Sequence, residues 1–111
     1  PKGFDIKKHL TYMSLLNPQL ESAVRAVVRK YASPAGYQAF FFGSRVRGDN
    51  GPRADIDIGL EGQTPVPAAV KFAIEDALEG LPTMIMFDVV DFSTADPQFA
   101  ARAKEHILPI V

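Results

Sequence analysis

The sequence predicts an α/β fold of the α+β kind, a small mixed sheet of three to four strands flanked by helices. Three observations lead there. Segments with helical apolar spacing alternate with short apolar runs of strand length. Two cap-and-proline pairs, Asn17-Pro18 and Asp96-Pro97, mark helix starts. The stretch between the second and third strands contains a helix and suits a right-handed crossover joining parallel neighbours. The link between the first and second strands contains no full helix and favours antiparallel pairing.

Residues 1–16 carry no decisive pattern. After Asn17-Pro18, Leu20, Val24, Val27, Val28 and Tyr31 recur at helical spacing, so a helix is expected over 18–32. Ser33-Pro34-Ala35-Gly36 breaks it, and the aromatic run from Gln38 to Phe42, closed by Gly43, is too short for a helix and reads as strand one. Gly48-Asp49-Asn50-Gly51-Pro52 is dense in turn formers. Strand two follows from Asp55 to Leu60, where Ile56, Ile58 and Leu60 alternate with other residues. Beyond Thr64-Pro65, Val66, Val70, Ile74, Ala77 and Leu78 share one helical face, with Gly80 as the C-terminal cap. Met84 to Phe92 is β-branched and aromatic enough for strand three, and a last helix is expected near 97–107.

Size and composition narrow the function. With 111 residues the chain suits a single domain spanning 1–111 around one core. Hydrophobic residues at 47% and charged residues at 23% are the mix of a soluble globular protein. There is no cysteine, which excludes disulfides, thiolate zinc sites and cysteine nucleophiles, so any metal must be held by oxygen or imidazole. No apolar run approaches the roughly 18 residues of a membrane span, and a signal peptide's regions are missing at the start, so a cytoplasmic protein without membrane partners is expected. A net charge of −1 argues against direct nucleic-acid binding, in which basic surface supplies most of the affinity.

Chemistry concentrates where the predicted strands would converge. Asp55 and Asp57 are two apart on a strand, so both carboxylates leave one face with about 6.6 Å between their Cα atoms. Two like charges there call for a compensating cation, and hard oxygen donors select Mg²⁺ or Mn²⁺. The bland alternative is a pair of solvated strand residues. Asp88 is less easily set aside, because its strand is otherwise apolar and a carboxylate in a buried strand is costly unless it is paired or on a metal. Asp91 points to the opposite face, so Asp88 is the expected third member. If strand one is antiparallel to strand two, Gly43-Ser44 joins the same end of the sheet. Gly43-Ser44-Arg45-Val46-Arg47-Gly48 can cradle phosphate through backbone N–H groups, the Ser44 hydroxyl and the arginines. Asp49-Asn50 stands where a P-loop needs Lys and Ser/Thr, so that motif is rejected, as is a calcium loop. His9 and His106 lie towards the chain ends and read as solvated, Arg53 reads as surface, and Phe40 to Phe42 read as core.

Together, G-S-x10-D-x-D from Gly43-Ser44 to Asp55-Ile56-Asp57, followed by a strand with Asp88 in Phe87-Asp88-Val89-Val90-Asp91, resembles the minimal nucleotidyltransferases of the DNA polymerase β superfamily. The likeness extends over residues 18 to 107. It implies a nucleotidyltransferase fold in which Gly43, Ser44, Arg45 and Arg47 bind the nucleotide, while Asp55, Asp57 and Asp88 are catalytic and hold two Mg²⁺ ions, with Mn²⁺ as a substitute. It implies transfer of a nucleoside monophosphate, AMP from ATP, to an acceptor hydroxyl. Such domains commonly pair with a neighbouring helical protein of the HEPN class, so the resemblance implies an antitoxin that adenylylates this partner. The competing reading is a nucleotide-binding module that neutralises its partner by stoichiometric binding. A homo-oligomer is left open.

Overall fold

The Asn17 side chain accepts hydrogen bonds from the backbone N–H groups of Gln19 (2.8 Å) and Leu20 (3.3 Å), so helix α1 (Pro18–Ala32) begins where the cap-and-proline pair predicts. The computed structural model describes residues 17–48, 51 and 54–111. Residues 1–16 with His9, and Asp49, Asn50, Pro52 and Arg53 of the turn, lie outside the described residues.

After α1 come β1 (Gln38–Phe42), a single turn of helix α2 (Ser44–Arg47), β2 (Ile56–Glu61), α3 (Ala68–Glu79), β3 (Phe87–Asp91), α4 (Pro97–Ala103) and β4 (Leu108–Pro109). The sheet order is β3-β2-β1-β4. β1 and β2 are antiparallel, with Phe42 opposite Asp57, and β2 and β3 are parallel, with Asp57 opposite Asp88. Both pairings agree with those expected from connection length, and the sheet is the mixed, helix-flanked one the sequence predicts.

Alternation along the strands feeds two cores. Ala39, Phe41, Ile56, Ile58, Leu60 and Val89 face α1 and α3, where Val24, Val28, Ile74 and Leu78 complete an aliphatic cluster. Each fully buried aliphatic side chain there contributes about 1.5–3 kcal/mol of transfer free energy. The other face carries a smaller aromatic cluster of Phe40, Phe42 and Phe92 under α4. Phe92 packs edge-on at 5.0 Å from both Phe40 and Phe42. Gly59 lies opposite Phe40, and a Cβ at this position would collide with the rings of Phe40 and Phe92. The phenylalanine run is therefore core on both faces.

Several elements differ from expectation, and strand two runs from Ile56 to Glu61, one residue later than Asp55 to Leu60. The third strand begins at Phe87 instead of Met84, because β2 is its one neighbour among the described residues and the backbone bond from Ile56 N–H to the Met86 carbonyl (3.0 Å) opens their ladder. The last helix stops at Ala103 instead of near 107. The chain then turns so that Leu108 and Ile110 enter the core, and β4 forms against β1. Arg25 and Arg29 of α1 hold this tail by donating to the Pro109 and Ile110 carbonyls at 3.0 Å each. The expected phosphate loop also contains the unforeseen turn α2, which Gly48 closes in the left-handed conformation (φ 86°).

Candidate active site

The end of the sheet where β1 finishes and β2 and β3 begin gathers the predicted groups. Asp57 and Asp88 are direct neighbours in the parallel register, on strands about 4.8 Å apart. Asp55 lies two residues before Asp57 and immediately ahead of β2. Both Asp57 and Asp88 share the parity of Phe40, Phe42 and Phe92, so they belong to the aromatic face, at the edge where its helical cover ends. Asp57 is half-buried, while Asp55 and Asp88 are exposed. Contrary to expectation, Asp88 is not a carboxylate inside a buried strand, because β3 is the edge of the sheet and Asp88 meets solvent. Its place beside Asp57 rests on the register of β2 and β3 and on the pull of its charge on the Asp57 carboxyl.

Gly43 ties the turn to the carboxylates. Its φ of 84° lies in the region that disfavours side chains, and a Cβ there would run into the Asp57 carboxylate. Glycine is thus required twice, once for the backbone path and once for the approach of Asp57. Ser44 starts α2 and is half-buried, with the Gly43 carbonyl accepting from the N–H groups of Val46 and Arg47 at 3.1 Å each.

The two arginines of the turn are placed differently. Arg47 is exposed at the rim, where its charge lowers the pKa of Asp57. Arg45 is 1% exposed, and its Nε donates to the Ala54 carbonyl at 2.9 Å, bracing the turn against the approach to β2. Its charge also acts on Asp57. Arg45, expected to contact the triphosphate, is buried beneath the turn, because the short helix turns its side chain inward.

Electrostatically, the end of the sheet carries an excess of negative charge at Asp57. Burial, then Asp88, then Asp55 push its pKa up from 3.8 to about 6, against the opposing pull of Arg47 and Arg45. Asp91, across the sheet, contrasts with it. Burial would raise its pKa, but hydrogen bonds from the Val66 N–H (2.9 Å), the Ser93 N–H (2.8 Å) and the Ser93 and Thr94 side chains outweigh burial and lower it. Asp91 is a structural carboxylate that fastens the loop before α3 to the end of β3.

Asp55, Asp57 and Asp88 are an all-oxygen set suited to Mg²⁺ or Mn²⁺. Among the described residues no three carboxylates or imidazoles stand close enough to enclose an ion unaided.

A cleft of about 650 Å³ opens over Asp57 and Asp88, with Ser44 and Arg47 on the same wall, while Asp55 does not line it. The opposite wall is supplied by Phe99, Arg102 and His106 of α4 and the turn after it. None of the three is expected in the site from the sequence, where His106 reads as solvated. Their spacing of i, i+3 and i+7 was the available signal, since it puts all three on one face of the predicted helix.

The family model for polymerase beta nucleotidyltransferases matches residues 26–108. The chain belongs to this nucleotidyltransferase family. The nucleotidyltransferase domain so defined includes the turn, the three acidic residues and the far wall of the cleft, and the family's reaction is transfer of a nucleoside monophosphate. Among solved structures the chain is similar to a proposed nucleotidyltransferase from Sulfolobus solfataricus, with 20% identity and a TM-score of 0.47 over 98% of this chain and 90% of that one. No curated protein matches it. No helix among the described residues is long and apolar enough to cross a membrane.

Proposed function

We propose that this nucleotidyltransferase transfers AMP from ATP to a hydroxyl group of a helical, HEPN-type partner protein, and acts in this way as an antitoxin. The observation that carries the reading is the register Phe42–Asp57–Asp88, which sets two carboxylates side by side at the mouth of the Gly43-Ser44 turn. Asp55, Asp57 and Asp88 would hold Mg²⁺, which when bound neutralises charge on the triphosphate and on the departing pyrophosphate. Ser44 and Arg47 bind the terminal phosphates, Arg45 keeps their turn in place, and Gly43 leaves room for Asp57. Asp88, exposed beside Asp57, accepts the proton of the acceptor hydroxyl as its oxygen bonds to the α-phosphorus and the bond to the β-phosphate's bridging oxygen breaks. The far wall of Phe99, Arg102 and His106 excludes water from one side of the cleft and orients what enters it. Cytoplasmic location accords with the substrate.

Incubation of the protein with Mg²⁺, a HEPN-type partner and each of the four α-labelled nucleoside triphosphates tests this. Label should pass from ATP to the partner, and Asp57→Asn should abolish the transfer. Failure of every nucleotide to label the partner, together with full neutralisation by an Asp55→Ala/Asp57→Ala double variant, would replace the enzyme by a stoichiometric binding module.

A further inference from the structure

Across the sheet from β4, the edge strand β3 borders a second surface feature unrelated to the carboxylates' chemistry. Phe72 of α3 is 68% exposed, and Met84 and Met86, in the segment that leads into β3, are 96% and 68% exposed. Together they line a groove of about 550 Å³ between α3 and that segment. Apolar side chains exposed together in one concavity usually mark an interaction site. The flexible thioethers of methionine suit a surface that must fit a partner's side chains. Within the described residues no strand pairs with the outer side of β3.

We infer that this groove is a docking site for a basic amphipathic helix of a partner protein. The charged residues that line it are all acidic, namely Glu75, Asp76 and Glu79, and all three are exposed. With Phe72 they stand at i, i+3, i+4 and i+7 of α3, so a single helical face presents one aromatic ring and three carboxylates to the groove. Lys71 pairs with Glu75 at 3.1 Å and offsets one of these charges. A groove lined by apolar and acidic side chains is complementary to a helix that carries an apolar stripe flanked by Lys or Arg. A second copy of this chain fits poorly, since a two-fold contact through this face would bring two acidic rims together.

Two fluorescent synthetic peptides test the site on the full chain. One has Leu at i, i+3, i+4 and i+7 of a helix with Lys elsewhere, and the other has Glu in place of Lys. The Lys peptide should bind, and the methyl NMR signals of Met84 and Met86 should shift on its addition. Its affinity should fall about tenfold or more in Met84→Ser/Met86→Ser and in Glu75→Gln/Glu79→Gln. These positions are exposed, and circular dichroism will verify that the variants fold. Equal binding of the Glu peptide, binding that leaves both methionine signals unmoved, or a wild-type dimer that Met84→Ser/Met86→Ser dissociates would each overturn the assignment.

Discussion

On the face under α1 and α3, β1 and β2 present Ala39, Phe41, Ile56, Ile58 and Leu60, none more than 1% exposed. On the face under α4 the same strands present Phe40, Phe42, Gly59 and Asp57, and β3 adds Asp88 in the open. The long helices α1 and α3 close the first face along its length, while the short α4 covers only part of the second. A carboxylate can be kept half-buried next to an aromatic cluster and still meet a ligand only where such cover runs out. The difference teaches that one face supplies stability and the other, less fully packed, supplies the place where charge can be used.

The contrast is broken most sharply by truncating one aromatic residue on each face. Phe41→Ala should cost about 3–5 kcal/mol in urea unfolding, as expected for a fully buried ring. Phe99→Ala, at a position 45% exposed, should cost about 1 kcal/mol or less. Equal costs would mean that the α4 face is as much a core as the other.

Gly43→Ala comes next, at about 2–3 kcal/mol, since it combines a disfavoured backbone angle with a collision at Asp57. The same unfolding measurement checks it, and an unchanged midpoint would show that the turn can move away from Asp57 freely.

A smaller effect, of opposite sign, is expected at Asp57 itself. Its carboxyl ionises near 3.8 when unfolded and near 6 when folded, so the native state loses stability as the pH rises between these values, and the deficit is complete above about 6. In metal-free buffer at pH 7.5, Asp57→Asn should therefore stabilise the protein, by about 1 kcal/mol after allowance for solvent screening. The gain should shrink below pH 6 and vanish below pH 4. Thermal melts across that range test the sign, and a variant less stable than wild type at pH 7.5 would refute it. The smallest change is expected at the far wall, where Arg102→Ala should raise KM for the nucleotide or acceptor by about three- to tenfold with little effect on kcat. A fall in kcat alone would move Arg102 into the chemical step.

Much of this arrangement was legible in the residues. Asn17-Pro18 and Asp96-Pro97 fixed two helix starts, because a side-chain cap and a preset φ are local effects; the Asp96 carboxylate accepts from the Phe99 N–H at 3.0 Å as expected. Connection lengths foretold both strand pairings, and these brought Gly43-Ser44, Asp57 and Asp88 together. What escaped depends on distant contacts. β4 pairs with β1, and Arg25 and Arg29 of α1 hold the Pro109 and Ile110 carbonyls of this tail, contacts between residues 84 and 81 positions apart. Arg45 was read as a ligand because its motif is rich in donors, and only the turn of α2 shows that it faces inward. The burial expected of Asp88 failed because strand order, and with it the edge position of β3, cannot be read from one strand's composition.

The central claim is that Asp57 and Asp88, from adjacent parallel strands, act on one metal–nucleotide complex beside the Gly43-Ser44 turn. Crystals grown with Mn²⁺ and a non-hydrolysable ATP analogue, measured at the manganese absorption edge, test it directly. The account predicts anomalous peaks about 2.1 Å from carboxylate oxygens of both Asp57 and Asp88, with the terminal phosphates at Ser44. Manganese and nucleotide bound elsewhere, or bound at this turn with Asp88 facing away, would contradict it.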